Sequence, residues 1–326
     1  MVPARLPGVN RETPALSARL WYALKPASWP KLLVAAALGQ AVGIAATGRV
    51  DPAGLTFGVV FTMLHLVFVV LLNDWGDQDV DALKRRLFPA ACSPKTIPDG
   101  ILDATTVGQL GLAAGLMALG TAGLAEALLG APGLFVGGAV AVGLFWAYTL
   151  PPLRLNYRGG GELLEMIGVG FCLPWINAYM QSGKAMPGGM VVLPGYALLC
   201  LASALASGLA DEESDRLGGK RTFATWFGAP PVRQAVEGLV LGAILVWAAL
   251  PWLSRGWAHF WMMLPVVLVM SVDYRELRRV SDVTESTDDM THRDYKHALH
   301  DTIWRGALMM AGILAVVGLI LGGIDG

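Results

Sequence analysis

Charged residues and cysteines are both scarce in this sequence. Lysine, arginine, aspartate and glutamate make up 15% of the 326 residues, whereas hydrophobic residues make up 55%. Such an apolar composition is typical of a protein that crosses a membrane several times, and not of a soluble domain. The three cysteines, Cys92, Cys172 and Cys200, are widely spaced and odd in number. They indicate neither a disulfide framework nor a zinc site.

The first twenty residues lack an apolar segment. They contain Arg5, Arg11 and Arg19 but no hydrophobic core, so a signal peptide is not expected. We expect residues 1–24 to form a cytosolic tail and residues 25–326 to form a single transmembrane domain.

Apolar windows of about 16–24 residues, each long enough to span a bilayer, recur along the rest of the chain. Glycine, proline or charged residues bound each window, and the pattern predicts an all-α bundle of nine transmembrane helices. The predicted spans are residues 29–47, 54–72, 104–127, 132–149, 162–180, 191–209, 231–250, 257–272 and 301–322.

The basic residues predict the orientation of the bundle. With the N-terminus in the cytosol, only Arg49, Lys184 and Arg255 fall outside, so about 21 of the 24 lysines and arginines lie on the cytosolic side. Nine spans then place the C-terminus outside, and a bacterial inner membrane is the expected location. The long polar loops follow even-numbered spans, so function is expected at the cytosolic face.

The longest polar stretch runs from residue 273 to residue 300. Tyr274, Leu277 and Val280 fall at helical spacing within it. This spacing predicts a short amphipathic helix on the membrane surface.

An acidic stretch with the sequence NDWGDQDVD follows the second predicted span, at residues 73–81. If the stretch is helical, Asn73, Asp77 and Asp81 share one face and Asp79 points away, because they are one turn apart. Acids at the end of a membrane segment need a counter-ion, and Mg²⁺ is commonly held by carboxylates together with substrate phosphates. The stretch predicts a Mg²⁺-diphosphate site; a solvated helix end is the alternative.

A second acidic cluster follows the sixth predicted span. Asp211 and Asp215 repeat the four-residue spacing, and both clusters lie on the same side of the membrane. This arrangement favours one shared site in which a second Mg²⁺ binds the same diphosphate. Basic residues near both clusters could bind diphosphate oxygens, or could be the ordinary basic residues of cytosolic loops. They are Lys84, Arg85, Arg86, Lys95, Arg216, Lys220 and Arg221.

The loop after the fourth span lies between the two clusters in sequence. Pro151 and Pro152 end that span, because proline removes a backbone hydrogen bond. Tyr148 lies in the last turn before them, where its hydroxyl could reach the same pocket, although a lone tyrosine at an interface is commonly an anchor. Arg154, two residues after Pro152, is a further candidate to bind the diphosphate.

These residues resemble the UbiA superfamily of intramembrane prenyltransferases. The stretch from Asn73 to Asp81 is similar to the first aspartate-rich motif of that family, and the stretch from Asp211 to Thr222 is similar to the second. The resemblance extends from about Lys25 to the C-terminus and includes motif order, motif spacing and helix number. It implies a nine-helix bundle with a central cavity open to the cytosol.

The resemblance also implies an activity. Family members use Mg²⁺ to transfer a prenyl group from an isoprenoid diphosphate to an acceptor, through an allylic carbocation. The expected partners are an isoprenoid diphosphate, a small aromatic acceptor of the quinone-precursor kind and the lipid bilayer, with no nucleic acid and no obligate protein partner. The positions that match the family's metal and diphosphate ligands are Asn73, Asp77, Asp81, Asp211 and Asp215.

The chain departs from the family pattern at several positions. Lys25 stands where the family often has arginine, and Lys95 follows the first motif where an arginine is usual; both are expected to contact the diphosphate. The segment from Tyr148 to Glu162 looks closest to the branch that prenylates dihydroxynaphthoate. However, Ser207 and Gly208 replace the paired asparagines of that branch, which leaves the acceptor open.

Two other activities remain as alternatives. A membrane terpene cyclase of the same superfamily needs the same metal site but no acceptor. A transporter or channel is disfavoured, because the acids lie at helix ends and the spans show no inverted repeat.

Polar residues of the fifth span could bind an acceptor or could bond to neighbouring helices. They are Glu162, Glu165, Asn177, Tyr179 and Gln181.

Histidine is rare, with five in the chain. His65 lies two turns before Asn73 and could face the cavity or form a hydrogen bond within the bundle. His292, His297 and His300 lie in the polar stretch before the last span. Their spacing is poor for a metal, and a solvated helix face is expected.

Overall fold

The computed structural model describes residues 14–89, 93–254, 257–283 and 289–324, with the backbone alone for residues 282–283 and 289–293. Cys92, Arg255 and the side chain of His292 lie outside the described residues. Every regular element in the described part is helical. The α-helices are α1 (Leu16–Leu24), α2 (Pro30–Thr47), α3 (Pro52–Gly76), α4 (Gln78–Leu87), α5 (Ala104–Leu129), α6 (Leu134–Thr149), α7 (Leu155–Arg158), α8 (Gly161–Ile167), α9 (Leu173–Ser182), α10 (Leu193–Leu209), α11 (Glu212–Leu217), α12 (Phe223–Phe227), α13 (Ala229–Leu253), α14 (Phe260–Val283) and α15 (Asp289–Leu321). A π-helical segment, Gly168–Cys172, joins α8 to α9.

The predicted membrane spans coincide with helices. Within the described residues, seven helical stretches are long and apolar enough to cross a membrane, and α6 is a shorter apolar helix of 16 residues. The eighth predicted window coincides with α14. The prediction of a helical membrane protein is confirmed, whereas the number of nine crossings stays a prediction.

The polar stretch between the last two predicted spans contains no separate surface helix in its first part. Tyr274, Leu277 and Val280 belong to α14, which continues without a break from Phe260 to Val283. Leu277 is fully buried in the main core. The predicted amphipathic helix on the membrane surface is therefore wrong, because tertiary packing covers its apolar face.

Local sequence signals set the ends of the long helices. The Asp51 carboxylate caps α3 by accepting hydrogen bonds from the backbone N–H groups of Ala53 and Gly54, and Pro52 occupies the first helical position. Gly48 ends α2 with φ of 69°, in the left-handed region that glycine tolerates.

Buried polar side chains bond the helices to one another. The Gln40 amide of α2 donates to the Asn177 side chain of α9 at 3.0 Å, and the Asn177 amide donates to Thr62 of α3 at 3.1 Å. The Tyr179 hydroxyl donates to the Pro132 carbonyl at 2.9 Å. Asn177 and Tyr179 therefore satisfy polar groups within the bundle, which is the commoner of the two roles that the sequence allowed.

The two ends of α2 mark opposite ends of the bundle. Lys31, in its first turn, pairs with Glu165, whereas Ala45, near its other end, accepts a hydrogen bond from the backbone N–H of Ile324 at 2.8 Å. Eighteen residues of helix span about 27 Å. The described C-terminal residues therefore lie at the end of the bundle far from Lys31. Which end faces the cytosol stays a prediction.

Residues 16–24 form a helix, although the sequence placed them in a tail. Ala23 is fully buried against α3 and the segment before α5. The Arg19 guanidinium donates to the Ile101 carbonyl at 2.8 Å. The division of the chain at residue 24 stays a prediction.

Candidate functional site

The first acidic stretch spans a break between two helices. The prediction of one continuous helical face is corrected here, because α3 ends at Gly76 and Asp77 stands between α3 and α4 with φ of −104° and ψ of 10°. Asp77 and Asp81 are nevertheless both buried, with 5% and 6% of their surfaces exposed, and Asp79 is exposed. Asp77 and Asp81 therefore lie apart from Asp79, as the sequence predicted.

A single lysine joins the two acidic stretches. The Lys220 ammonium lies 2.7 Å from Oδ2 of Asp77 and 3.7 Å from Oδ1 of Asp215. Asp215 is 6% exposed. The two stretches, which follow different spans, thus meet at one buried positive charge.

The other two predicted acids are paired in the same manner. Lys95 forms an ion pair with Asp81, and Lys84 forms one with Asp211, whose side chain is 40% exposed. Lys84, Lys95 and Lys220 were all predicted to bind diphosphate oxygens. In this structure each of the three contacts a carboxylate.

The ionisation of these groups follows from burial and charge together. Burial raises the pKa of Asp81 and of Asp215, and the neighbouring lysines Lys95 and Lys220 act against that rise. Burial lowers the pKa of Lys220, but the Asp77 and Asp215 carboxylates outweigh it and raise the pKa above its ordinary value. Lys220 therefore keeps its positive charge at neutral pH.

The donor set suits a cation that is shared with a substrate. Among the described residues, no three carboxylate, histidine or cysteine side chains are grouped to hold a metal ion by themselves. Mg²⁺ is usually held by one or two carboxylates together with waters and substrate phosphates, so such a group is not required. The lysine ammoniums beside Asp77, Asp81 and Asp215 show where positive charge is stable, and the buried Oδ1 of Asn156 has no hydrogen-bond partner. The residues thus fit a Mg²⁺-diphosphate complex.

A bundle cavity of about 270 Å³ opens beside the acidic stretch. Helices α2, α3, α6 and α8 and the π-helical segment form most of its walls, whose surface is mostly apolar. The predicted residues Lys25, Asn73 and Tyr148 line it, as do Lys31, His65, Asp74 and Glu165. Tyr148 lies in the last turn of α6, at the wall of this cavity.

A row of aromatic rings runs along α3 and α6 beside this cavity. The ring centroids of Phe61, His65, Phe68, Phe145 and Tyr148 are 5.7, 5.7, 5.4 and 5.7 Å apart in that order. His65, Phe145 and Tyr148 line the cavity itself. The Phe145 and Tyr148 rings thus lie where their π-electrons could interact with a cation in the cavity.

Asp74 is a site residue that the sequence analysis missed. It is 1% exposed, forms an ion pair with Lys25 and accepts a hydrogen bond from the Thr96 hydroxyl at 2.5 Å. Lys25 therefore faces the cavity through Asp74 and does not join the carboxylates that Lys220 bridges. The sequence analysis chose Asp77 because it lies one helical turn after Asn73, a spacing that Asp74 does not have. Nothing in the sequence indicates the contact between Asp74 and Thr96.

A brace around Asp99 positions the Lys95 loop. The Asp99 carboxylate accepts hydrogen bonds from Arg85 at 2.7 and 2.5 Å, from the Tyr22 hydroxyl at 2.5 Å and from the Lys95 backbone N–H at 2.9 Å. Arg85 thus holds the loop and does not point to the acidic site. The brace joins α1, α4 and the segment before α5, so no local pattern could have predicted it.

Two of the predicted basic residues line a separate depression. Arg154 and Arg221 lie there with Tyr157, Arg158 and Gly219. The Arg154 guanidinium also donates to the Gly76 carbonyl at 2.6 Å, at the end of α3. Arg154 therefore reaches the acidic stretch, whereas Arg221 is exposed.

The polar residues of the fifth predicted span divide into two groups. Glu162 accepts a hydrogen bond from the backbone N–H of Phe223 at 2.8 Å and holds α12 in place. Gln181 lies near Gln40 and Arg49, toward the far end of α2. Of the five residues that the sequence singled out in this span, Glu165 is the one that lines the cavity.

The histidines also differ from expectation. His65 was predicted either to face the cavity or to form a hydrogen bond within the bundle. It lines the cavity, and its Nδ1 has no hydrogen-bond partner. His300 is partly buried: its Nε2 lies 3.2 Å from the Ser203 hydroxyl and its ring stacks on Trp304. The expected solvated position is therefore wrong for His300, whereas His297 is exposed.

Known proteins resemble this chain in sequence. A model of the UbiA prenyltransferase family matches residues 32–299. Chlorophyll synthase of Arabidopsis thaliana is 26% identical over 248 residues, which cover 73% of this chain and 59% of that protein. The 1,4-dihydroxy-2-naphthoate octaprenyltransferase of Mycobacterium leprae is 26% identical over 268 residues, which cover 80% of this chain and 84% of that protein. The chain thus spans about three fifths of the length of the chlorophyll synthase.

Solved structures resemble it in fold. A UbiA homologue from Archaeoglobus fulgidus bound to GPP and Mg²⁺ superposes with a TM-score of 0.66 at 15% identity, over 90% of this chain and 99% of that one. A UbiA homologue from Aeropyrum pernix superposes with a TM-score of 0.65 at 11% identity, over 87% of this chain and 97% of that one. At such identities the likeness shows the fold alone. Together with the family match over residues 32–299, it leads to one conclusion: this chain belongs to the UbiA prenyltransferase family.

Proposed function

We propose that this protein transfers a prenyl group from an isoprenoid diphosphate to an aromatic acceptor, with Mg²⁺ as cofactor. The observation that carries the proposal is the Lys220 ammonium, which joins Asp77 and Asp215 beside an apolar cavity. The relatives named above support it, since one is an octaprenyltransferase that acts on dihydroxynaphthoate. Further support comes from the solved UbiA homologues bound to GPP or DMAPP with Mg²⁺.

The residues proposed to hold Mg²⁺ and the diphosphate are Asn73, Asp77, Asp81, Asp211 and Asp215. We propose two ions, one for each acidic stretch. When bound, Mg²⁺ neutralises the negative charge that develops on the departing diphosphate.

The lysines of the site are proposed to bind the diphosphate directly. Lys84, Lys95 and Lys220 each have an ammonium beside a carboxylate, and a phosphate oxygen can replace that carboxylate as acceptor. Because these ammoniums are already positioned, they stabilise the leaving group without a large rearrangement. Lys25, which lines the cavity, and Arg154 and Arg221, which line the separate depression, are also proposed to bind the diphosphate.

The cavity wall is proposed to protect the allylic cation. When the allylic C–O bond breaks, its electron pair leaves on the diphosphate, and the acceptor ring supplies the pair for the new C–C bond. Water would capture the cation first, and the apolar walls exclude it. Phe145 and Tyr148, which line the cavity, stabilise the cation through their π-electrons.

The orientation in the membrane is part of the same proposal. A bacterial inner membrane, a cytosolic N-terminus and an acidic site that opens to the cytosol agree with the distribution of lysine and arginine. We propose that residues 25–326 act as a single domain without an obligate protein partner.

The proposal is tested by replacing the bridged acids. Asp77→Asn and Asp211→Asn are each expected to lower Mg²⁺-dependent release of diphosphate from geranylgeranyl diphosphate by on the order of 100-fold or more, because each removes stabilisation of the leaving group. Asp79→Asn is the matched control: it changes an exposed carboxylate of the same stretch and should stay within about twofold of the wild type. Full turnover by either site variant would refute the assignment.

A terpene cyclase remains the second candidate, because an aromatic row beside a cavity also suits cyclisation of a bound cation. Incubation of the purified protein with farnesyl diphosphate and Mg²⁺, without an acceptor, separates the two. Hydrocarbon products would identify a cyclase, whereas a transferase should release no more than the prenyl alcohol.

A further inference from the structure

The bundle cavity contains a charged pair that diphosphate binding does not use. Lys31 of α2 and Glu165 of α8 form an ion pair, and both side chains line the cavity, with 25% and 19% of their surfaces exposed. Charged groups within membrane segments are costly and commonly mark a site of function. This pair is separate from the carboxylates that form ion pairs with Lys84, Lys95 and Lys220.

Other buried acids near the same face have structural partners that account for them. Glu162, one turn before Glu165, accepts a hydrogen bond from Phe223. Glu237 is 4% exposed and pairs with Arg278 between α13 and α14. Glu165 differs from both because its ion pair faces open space inside the bundle.

The backbone next to Glu165 is also unusual. The π-helical segment Gly168–Cys172 begins three residues after it, and Gly168 and Val169 line the same cavity. Segments of π-helix within α-helices occur mostly at functional sites. Besides the ion pair, the π-helical segment is thus a second and independent feature of this wall that is typical of a binding site.

A third polar group lies deeper in the cavity. His65 is 7% exposed, and its Nδ1 has no hydrogen-bond partner. Eight residues of helix separate it from Asn73, which corresponds to about 12 Å of depth. A hydrocarbon tail would offer no polar contact to the Lys31–Glu165 pair or to the unpartnered Nδ1 of His65, so the cavity suits a ligand that has both polar groups and a flat apolar body.

We propose that Lys31 and Glu165 form the acceptor subsite and that the acceptor is a hydroxyarene whose ring hydroxyl lies between them. The inference rests on the proposed prenyl transfer and specifies its second substrate. A hydroxyl both donates and accepts a hydrogen bond, so it can donate to the Glu165 carboxylate while it accepts from the Lys31 ammonium. The aromatic row offers its ring a stacking surface next to this pair.

Glu165 then acts as a base toward the acceptor. The ring carbon beside the hydroxyl supplies the electron pair of the new C–C bond, while the pair of the broken C–O bond leaves on the diphosphate. Glu165 takes the hydroxyl proton, which makes the ring carbon more nucleophilic. It returns that proton when the ring carbon loses its hydrogen and aromaticity is restored, so one proton leaves with the diphosphate.

A test that does not depend on turnover uses 2-naphthol, whose excited state gives up its proton when a base lies beside the hydroxyl. Bound to the purified full-length protein, 2-naphthol should emit as the naphtholate. In Glu165→Gln the emission should shift to that of neutral naphthol, and affinity should fall about tenfold, as expected for loss of a charge-assisted hydrogen bond. Glu237→Gln, which removes a buried carboxylate outside the cavity, should leave both unchanged.

Two further measurements keep the result decisive. If Glu165→Gln folds poorly, the neutral double variant Lys31→Gln with Glu165→Gln should bind 2-methoxynaphthalene as the wild type does, yet show no naphtholate emission. Naphtholate emission that persists in either variant would overturn the subsite. Mg²⁺-dependent release of diphosphate by the wild type, measured without an acceptor, tests the proposed transfer separately from the subsite. If the wild type releases no diphosphate, the proposed transfer fails, whatever naphthol shows.

Discussion

Individual side chains in this protein derive their roles from partners far away in sequence. Lys220 contacts Asp77 across 143 positions, and Thr96 contacts Asp74 across 22. Each contact joins an aspartate at the end of α3 to a residue from another part of the chain. The acidic site is therefore assembled from residues that no single segment contains.

The Asp99 brace gives a pH-dependent prediction at the residue scale. Burial acts to raise the pKa of Asp99, but hydrogen bonds from Arg85, Tyr22 and the Lys95 backbone outweigh it and hold the pKa below its usual 3.8. A lowered pKa contributes stability above the unfolded value, and that contribution is lost as the pH falls through the folded value. Asp99→Asn should therefore lower the melting temperature at pH 7.

The difference between wild type and Asp99→Asn should shrink as the pH falls from about 3.8 through the lower pKa of the folded protein, because the wild-type carboxyl then becomes protonated as well. Thermal melts of detergent-solubilised protein at a series of pH values measure it. Asp79→Asn, at an exposed position, serves as the control. A difference that does not shrink at the lowest pH at which the protein stays folded would contradict the role of the ionised carboxylate.

At the scale of the helix, close approach depends on small residues. Gly43 of α2 packs against α9, and a Cβ at position 43 would lie 2.6 Å from the Cβ of Gln181 and 2.8 Å from the Ala178 carbonyl oxygen. Membrane helices that lack a hydrophobic driving force associate through such contacts.

Gly43→Ala should therefore destabilise the bundle by about 1–3 kcal/mol, as overpacking of a close contact does. Gly120→Ala is the matched control, because no atom lies within 4 Å of a Cβ there, and alanine forms helix better than glycine. Unfolding in mixed micelles measures both. Equal stability of the two variants would show that α2 and α9 do not pack as described.

At the scale of the whole molecule, the acidic site lies at one end of the bundle. The loop after α9 lies at the other end, where the Lys184 ammonium donates to the Ala46 carbonyl at 3.2 Å. The bundle therefore has one polar end, which carries the acidic stretches, and one end with few charges. That separation matches the asymmetry of lysine and arginine in the sequence.

Cysteine labelling tests this topology. In a Cys92→Ser background, Asp79→Cys should react with a membrane-impermeant maleimide only in inverted vesicles, because the acidic end is expected to face the cytosol. Met186→Cys, at a side chain that is 73% exposed, should react only in right-side-out vesicles. Cys172 and Cys200 are buried and provide the unreactive background. Labelling of both positions from one side would overturn the arrangement.

The sequence alone determined the membrane class, the positions of the apolar helices and the two acidic stretches. These are local properties: the length of an apolar run and the spacing of charged residues are visible in one dimension. It also identified the lysines of the site, and the structure brings Lys84, Lys95 and Lys220 to the predicted carboxylates.

Only the tertiary structure decided which groups meet. It separated Glu165, which faces the cavity, from Glu162, which supports α12, although they share a short helix. It also placed Asp74 with Lys25 and merged the expected surface helix into α14. The physical reason is that contacts between helices depend on crossing geometry and close packing, which arise from many residues at once and leave no periodic trace in the chain.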